Sequence, residues 1–354
     1  MFQKALCLHK KNWGKGNILL RIKDIAEIAG VSPTTVSNVI HGNTKKVSKD
    51  TIEKINRVIK ENNFVPNSVN GKYVSENGTK IIGVIMNSTK DGNKEMLTDP
   101  FAGEIIGSIE SEVFKLGYYM LFHMSEDIEE SIELACKWRV DGLITIGLPP
   151  KENIIIKDKI TVPMVSVDTY YSGKDRVANV GLDDYSGGYQ MTKYLISMGH
   201  RDIMFVVDST LGFNVDRIEG FKQALKEEKI DSTDKVFLIN KDSNERLKMY
   251  DNEMKKILSN TALFFSSDFY AFEAIRYFKD LGLRVPEDIS VAGFDDNYLA
   301  KMSRPRITTV CQDIRKKGSF AVNMLDTLIK GETLRFDNLR LPVQLIKRES
   351  VKEI

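Results

Sequence analysis

The stretch "SPTTVSNVI", residues 32–40, predicts a short helix with a polar outer face. Ser32 suits the N-cap, where a hydroxyl accepts a hydrogen bond from an otherwise unpaired backbone N–H, and Pro33 suits the first helical position, where no N–H is needed. An apolar stripe follows at helical spacing, formed by Val36, Val39 and Ile40. The opposite face then carries short polar side chains: Thr34, Thr35, Ser37, Asn38 and His41.

A second apolar stripe precedes this helix, and Gly30 suits the position just past its C-terminus. The stripe consists of Ile22, Ile25, Ala26 and Ala29. Two helices joined by so short a connection predict a helix-turn-helix, whose second helix can enter the major groove of DNA. A third helix is predicted between Ser48, its N-cap, and Pro66. Its apolar positions are Ile52, Ile55, Val58 and Ile59.

Amphipathic helices alone favour another interpretation, a helical hairpin that only packs against a larger domain. The charge distribution favours DNA binding instead. Residues 1–79 contain 13 Lys and Arg but six Asp and Glu, a net charge of +7, so the rest of the chain carries −5 within a total of +2. A basic N-terminal module on an acidic body is expected of a protein that contacts phosphates.

The whole chain has 354 residues, of which 42% are hydrophobic, and this is enough for two or three globular domains. Its apolar runs are too short to span a bilayer, and residues 1–20 lack the features of a signal peptide. We therefore predict a cytoplasmic protein that does not bind membranes, with residues 1–20 as a disordered extension. The cysteines are widely spaced, which predicts reduced thiols and no disulfide framework or zinc site: Cys7, Cys136 and Cys311.

From residue 81 onward, short β-branched runs alternate with helical patterns. This alternation predicts an α/β body of two doubly wound parallel sheets, each covered by helices on both faces. The predicted strands are residues 81–86, 118–124, 142–147, 163–168, 202–208, 236–240, 261–267 and 289–294.

Ligands of open α/β sheets bind outside the carboxyl ends of the strands, and several predicted strands end in polar side chains. A single aspartate at such a position has the N-cap of the next helix as its alternative role. As a set, these residues and nearby aromatic and polar side chains predict a cleft for a polar small molecule. The predicted effector-binding residues are Asp99, Phe101, Phe122, Asp168, Arg217, Ser267, Asp268, Asp295 and Gln312.

Catalysis has no positive support in the sequence. The four histidines are scattered, and no hydrolase, metalloprotease, phosphate-loop or dinucleotide motif stands in a suitable context. Adjacent carboxylates such as Asp295 and Asp296 point to opposite faces of a strand and do not act on one bond. We predict no catalytic residue, no metal and no cofactor.

Several long segments resemble the lactose/galactose repressor family of bacterial transcription regulators. They include "IKDIAEIAGVSPTTVSNVIHG" and "VSKDTIEKINRVIKENNFVPN" near the N-terminus. Further on, "GLDDYSGGYQMTKYLISMGHRDI", "LGLRVPEDISVAGFDD" and "RPRITTVCQD" are similar to the body of that family. The resemblance implies a DNA-binding headpiece, a hinge, and a two-lobed body that resembles a sugar-binding protein and dimerises.

The resemblance also implies which residues contact operator DNA. It assigns readout of the major groove to Pro33, Thr34, Ser37 and Asn38; many relatives have arginine at the position of Asn38, so asparagine here implies a shifted preference towards adenine. In the hinge, Tyr73 stands where the family has a leucine that wedges into the minor groove, and Gly71 weakens a hinge helix by about 1 kcal/mol relative to alanine. The predicted DNA contacts are Ser32, Pro33, Thr34, Thr35, Ser37, Asn38, His41, Asn67, Lys72 and Tyr73.

For the effector pocket, the family pattern carries over onto six of the residues named above: Phe101, Asp168, Arg217, Ser267, Asp295 and Gln312. Forked guanidinium donors and carboxylate acceptors suit a polyhydroxylated ligand, so the predicted effector is a carbohydrate. A nucleobase or a phosphoprotein corepressor is the alternative partner.

These expectations together describe a homodimeric repressor, or a tetrameric one, that binds a palindromic operator under the control of a small molecule. The expected domains are a helix-turn-helix at 21–66, a hinge at 67–79 and an effector-binding and dimerisation domain at 80–354. Its N-lobe would comprise about 80–181 and 310–333, and its C-lobe about 182–309 and 334–354. The rival class is a cytoplasmic solute-binding protein without DNA function, with a sugar-processing enzyme as a third interpretation.

Overall fold

A computed structural model describes residues 22–40, 43–61, 78–87, 99–125, 127–169 and 177–354. The chain divides into two compact units between Thr79 and Lys80, apart from residues 136–139, which group with the first unit. Within the described ranges, no helix is long and apolar enough to cross a membrane.

The N-terminal unit contains the three predicted helices around a small apolar core. They are α1 (Ile22–Ala29), α2 (Pro33–Ile40) and α3 (Lys49–Glu61), with a 3₁₀ turn at Thr44–Lys46 before α3. Each helix contributes a completely buried side chain to the core: Ile25, Val36 and Ile55.

Three of the predicted helix ends in this unit are confirmed, and the fourth, at Pro66, lies outside the described residues. Ser32 Oγ accepts a hydrogen bond from Thr35 N at 3.1 Å, and Ser48 Oγ accepts one from Thr51 N at 3.2 Å. Gly30 has φ +64°, the left-handed conformation that ends a helix and that glycine adopts without strain. Local sequence therefore specifies where α1 ends and where α2 begins.

The second unit contains two six-stranded sheets, as the alternating pattern predicts. The first sheet contains β1 (Ile81–Asn87), β2 (Tyr119–Ser125), β3 (Gly142–Ile146), β4 (Met164–Val167), β5 (Ala178–Leu182) and β11 (Asn338–Leu341). Its strand order is β11-β5-β4-β3-β1-β2, and all of its pairs are parallel.

The second sheet contains β6 (Ile203–Val207), β7 (Val236–Leu238), β8 (Ala262–Phe265), β9 (Ser290–Asp295), β10 (Thr308–Cys311) and β12 (Gln344–Ile346). Its order is β12-β10-β9-β8-β6-β7, and only the edge pair of β10 with β12 is antiparallel. Strands β3, β6 and β8 are buried along their whole length, as expected for strands covered on both faces.

Helices accompany both sheets. They are α4 (Pro100–Lys115), α5 (Ile128–Trp138), α6 (Pro150–Lys159), α7 (Asp184–Ser197), α8 (Phe213–Glu227), α9 (Ser243–Asn252), α10 (Met254–Leu258), α11 (Asp268–Asp280), α12 (Tyr298–Met302) and α13 (Ile314–Ile329).

The sequence pattern did not predict four of the strands: β5, β10, β11 and β12. They are short and contain polar residues or glycine, and β11 and β12 form sheet edges, so none shows the continuous apolar run of a central strand. The lobe division is corrected accordingly. Strand β11 pairs with β5 in the first sheet, whereas the predicted boundary assigned residues 334–354 to the other lobe, and β10 belongs entirely to the second sheet.

His200 attaches the C-terminal segment to the second sheet. Its ring is completely buried, with Nδ1 2.8 Å from Thr261 Oγ1 and Nε2 3.1 Å from the carbonyl oxygen of Lys352. Burial lowers the pKa of this imidazole below its ordinary value of 6.5, because the charged form loses its hydration.

This lowered pKa predicts how stability depends on pH. The folded state takes up the His200 proton less readily than the unfolded chain, so protonation favours unfolding once the pH falls below about 6.5. We expect the stability advantage of the natural chain over a His200→Gln variant to shrink between about pH 6.5 and pH 5, by at most about 1.4 kcal/mol per pH unit. Urea unfolding across this range measures the effect, and a difference independent of pH would contradict it.

Candidate functional site

A cavity of about 260 Å³ lies where the carboxyl ends of strands from both sheets converge. Gly147 and Asp168 follow strands of the first sheet, whereas Asp208 and Ser266 follow strands of the second. The remaining lining residues are Met86, Asp99, Phe101, Ala102, Ile146, Phe213, Arg217, Lys241, Ser267, Phe269, Tyr270, Asp295 and Gln312. The mixture of aromatic rings with a few charged groups is typical of a small-molecule site.

A chain of polar contacts connects the two lobes beside this cavity. The completely buried Lys317 donates to both carboxylate oxygens of Asp168, at 2.9 and 2.8 Å, and to Gln312 Oε1 at 2.6 Å. Gln312 Nε2 in turn donates to Asp295 Oδ1 at 2.5 Å. Asp168 follows β4 of the first sheet and Asp295 ends β9 of the second, so this chain spans both lobes.

Arg217 is held rigidly on the second sheet's side of the cavity. Its Nε donates to Asp184 Oδ1 and its Nη1 to the carbonyl oxygen of Ser266, both at 2.7 Å. The guanidinium also lies 3.5 Å from the ring centroid of Phe294 and 4.6 Å from that of Phe213. A guanidinium fixed by a buried carboxylate and two rings presents donors in a defined direction, as recognition of a polar ligand requires.

Two cavity carboxyls have strongly shifted pKa values. Burial raises the pKa of Asp99 to about 6, although its Oδ1 caps α4 by accepting a hydrogen bond from Phe101 N at 3.0 Å. Burial also raises the pKa of Asp295 to about 8, with Arg217 and Lys317 opposing that rise. Both acids therefore keep a proton more readily than an exposed aspartate does.

The sequence analysis did not predict three polar residues on the second sheet's side of the cavity: Asp208, Lys241 and Tyr270. Tyr270 OH donates to Asp208 Oδ2 at 3.2 Å, and Lys241 Nζ lies 3.8 Å from the same oxygen. Asp208 ends a predicted strand, so the rule that selected Asp168 could have found it as well. Lys241, Phe213, Phe269 and Tyr270 lie on loops and helix starts, where no sequence pattern indicated a site.

A buried ion pair between Arg246 and Glu273 positions Lys241 and Tyr270. The guanidinium of Arg246 pairs with Glu273 and donates to the carbonyl oxygens of Asn240 and Lys241, at 2.7 and 2.8 Å. It also lies 4.8 Å from the ring centroid of Tyr270. The loop that carries Lys241 and the ring of Tyr270 are thereby positioned by the same side chain.

The structure brings most of the predicted effector-binding residues together. Those that line the cavity are Asp99, Phe101, Asp168, Arg217, Ser267, Asp295 and Gln312. Ser267 also caps α11, since its Oγ accepts a hydrogen bond from Phe269 N at 3.0 Å. Their role in ligand binding stays a prediction.

The expected positions of Asp268 and Phe122 are corrected, because neither lines the cavity. Asp268 is completely buried: its Oδ1 accepts from Thr309 Oγ1 at 2.6 Å and its Oδ2 from Asn297 N at 3.1 Å. Phe122 lies on β2, where it is half-buried and packs against the hydrophobic core. The position of Asp268 after a strand, and that of Phe122 within one, did not reveal which way these side chains face.

On α2 the structure separates a core face from an outer face as predicted. Val36 is completely buried and Val39 is 9% exposed, whereas Pro33 and Thr34 are exposed and Asn38 is half-buried. Of the other predicted DNA contacts, Ser32 just before α2 is exposed, and Thr35 and Ser37 are half-buried. Four predicted contacts lie outside the described residues: His41, Asn67, Lys72 and Tyr73.

Family models match both units of the chain. The model of bacterial regulatory proteins of the lacI family matches residues 21–67, and the periplasmic binding protein-like domain matches residues 192–351. The HTH-type transcriptional regulator MalR of Clostridium butyricum is 32% identical over 344 residues, covering 94% of this chain and 99% of MalR. The HTH-type transcriptional repressor PurR of Haemophilus influenzae is 34% identical over 349 residues, with the same coverage.

Solved structures agree with this result. The transcriptional regulator CelR in its cellobiose complex has a TM-score of 0.70 at 26% identity, over 94% of this chain and 99% of that one. The Lac repressor dimer bound to operator and the anti-inducer ONPF has a TM-score of 0.68 at 26% identity, over 95% and 100%. The two family matches and these relatives thus define a transcriptional regulator with a periplasmic-binding-protein-like ligand domain, not an enzyme. The chain belongs to the lacI family of bacterial regulatory proteins.

Proposed function

We propose that this regulator is a dimeric repressor that binds a palindromic operator and responds to a small molecule in the interlobe cavity. The observation that carries the proposal is the pairing of an accessible polar face on α2 with a cavity that both lobes line. The net charge of +7 over residues 1–79 supports attraction to phosphates. We propose residues 21–66 as the DNA-binding domain, 67–79 as the hinge and 80–354 as the effector and dimerisation domain.

The mechanism follows from the contacts between the lobes. A ligand that engages Asp168 from one lobe and Arg217 or Asp295 from the other binds a closed arrangement better than an open one. It therefore shifts the balance between these arrangements, which changes the spacing of two dimer-related headpieces. Such coupling is reciprocal and is typically about 1–3 kcal/mol.

A carbohydrate is the effector class that we propose first. Arg217 and the cavity carboxylates supply donors and acceptors for neighbouring hydroxyls, and Phe101, Phe213 and Phe269 supply apolar surface for a sugar ring. The cellobiose complex of the similar regulator CelR supports this class.

Substitution of the recognition helix tests the DNA-binding function. A palindrome is first selected from random DNA with the natural protein. We then expect Asn38→Ala to lower affinity for it about tenfold, because one bidentate contact to a base is lost, while non-specific DNA binding changes less than about twofold. Fluorescence anisotropy at several salt concentrations measures both affinities and the salt slope.

Asn56→Ala is the matched control, since Asn56 is exposed on α3 and is not a predicted DNA contact. It should change neither affinity. If no sequence is selected, or if binding is independent of salt, the solute-binding alternative is favoured. If Asn38→Ala lowers the affinity for the selected palindrome and for non-specific DNA equally, Asn38 does not recognise a base.

A further inference from the structure

Among the residues that the structure describes, the cavity contains more negative than positive charge. Four of these residues line it with carboxylates, Asp99, Asp168, Asp208 and Asp295, and a fifth carboxylate, from Asp184, pairs with the lining Arg217. Three cations oppose these carboxylates. They are Arg217, Lys317, which pairs with Asp168, and Lys241, which lies near Asp208. With every group ionised, this set carries a net charge of −2.

Pairing these charges leaves two particular acids. Asp168, Asp184 and Asp208 each have a lysine or arginine nitrogen at 2.8, 2.7 and 3.8 Å. Among the described residues, Asp99 and Asp295 have no such cation within the 4.0 Å limit of an ion pair.

Each of these two acids uses one oxygen in a hydrogen bond that the structure records. Asp99 Oδ1 accepts from Phe101 N, and Asp295 Oδ1 accepts from Gln312 Nε2. Asp295 is only 6% exposed although it lines the cavity. In so buried a site, an ionised Asp295 without a cation destabilises the protein, and a positively charged ligand group next to it is favoured.

A metal ion does not explain this excess of carboxylates. In the ranges that the structure describes, no three His, Cys, Asp or Glu side chains converge as a metal site would require. The aromatic lining from Phe101, Phe213, Phe269 and Tyr270 suits an organic ligand instead.

We propose that the effector is a hydroxylated molecule with a protonated amine, of the amino-sugar class, whose ammonium group lies between Asp99 and Asp295. This inference rests on the proposed effector function of the cavity and narrows it to a ligand class. The ammonium group donates to the carboxylate oxygens, and the hydroxyls bind the Arg217 side of the cavity. Burial raises the pKa of both carboxyls, which agrees with a site whose described residues give neither acid an ion-pair partner.

The test compares sugars that differ in charge at one position. Glucosamine, galactosamine and mannosamine are each titrated beside the parent hexose, the N-acetyl derivative and the 6-phosphate. Dissociation constants come from the concentration dependence of the thermal unfolding midpoint of the full chain and from calorimetry. We expect at least one amine to bind about tenfold or more tightly than its parent and its N-acetyl derivative, because a charge-assisted hydrogen bond is lost in both.

Substitutions test whether the carboxylate of Asp99 contacts the ammonium group of the ligand. Asp99→Asn preserves an N-cap residue for α4 and removes one negative charge, so it should reduce the preference for the amine over its parent about tenfold. The control Asp231→Asn removes a negative charge from an exposed turn and should leave the preference unchanged. Circular dichroism verifies that both variants are folded.

Three results would overturn the proposal: no amine in the panel binds at millimolar concentration, a neutral or phosphorylated sugar binds more tightly than every amine, or Asp99→Asn leaves the preference intact. A preference for neutral sugars would mean that both carboxyls are protonated and donate hydrogen bonds. Operator binding is measured separately without ligand, so a failure of this inference is distinguished from a failure of the proposed DNA-binding function.

Discussion

Replacing Lys317 with methionine should destabilise the body by about 3–5 kcal/mol, because it leaves the charge of Asp168 without its partner in a buried site. The side chain of Lys317 is completely buried and that of Asp168 is only 10% exposed. Methionine fills a similar volume, so the loss is mainly electrostatic. Gln312 loses a donor at its Oε1 as well, which loosens its contact with Asp295. Urea unfolding followed by circular dichroism measures the change.

The adjacent lysine provides a matched control. Lys316 is 70% exposed, and its ion pair among the described residues is with Asp313, the N-cap of the same helix, so Lys316→Met should cost less than about 0.5 kcal/mol. The double variant with Lys317→Met and Asp168→Asn should recover much of the loss, because no unpaired charge remains. If the two lysine variants lose equal stability, or if the double variant is no better than Lys317→Met, the ion pair does not have this role.

The second large effect is expected from Gly188→Ala, at the crossing of α7 and α8. A Cβ atom at Gly188 would lie 2.1 Å from the carbonyl oxygen of Arg217, and one at Gly220 would lie 2.1 Å from that of Tyr185. Both clashes involve backbone, so no side-chain rotation relieves them. We expect a loss of about 3 kcal/mol in unfolding free energy, near the upper end for overpacking, and weaker effector binding because Arg217 is displaced.

Gly103→Ala is the control for helical glycine. Gly103 lies within α4, and a Cβ atom added there would have no atom of the described residues outside its own helix within 4 Å, so alanine should stabilise the protein by up to about 1 kcal/mol through helix propensity. Thermal and urea unfolding compare the two variants, and ligand titration tests the displacement of Arg217. A Gly188→Ala protein as stable as Gly103→Ala would mean that the two helices can separate without cost.

Much of the fold followed from local patterns. Ser32, Pro33 and Gly30 specify the ends of α1 and α2 because capping depends on residues adjacent in the chain. Six of the eight interior strands in the described sheets were predicted, because burial on both faces favours continuous apolar runs. The short interior strands β5 and β10 contain polar residues or glycine and were missed, as were β11 and β12 at the sheet edges.

The candidate site was only partly predictable. The rule that ligands bind at carboxyl ends of strands selected Asp168, Ser267 and Asp295, which do line the cavity. It failed for Asp268, whose carboxylate faces Thr309 and the backbone of Asn297. The direction of a side chain after a strand depends on the neighbouring strands and helices, which sequence spacing does not describe.

The amino-acid sequence by itself determined the helix-turn-helix, the alternating α/β body and the charge difference between them, because capping, periodicity and net charge are properties of neighbouring residues. Tertiary structure alone decided that Lys317 joins Asp168 to Gln312, that Arg246 positions Lys241, and that Asp99 and Asp295 lack a cation among the described residues. The contact of Lys317 with Asp168 joins residues 149 positions apart, whereas those of Lys317 with Gln312 and of Arg246 with Lys241 are local in the chain. Their energies depend on burial, which arises only when two sheets and their crossing segments pack together.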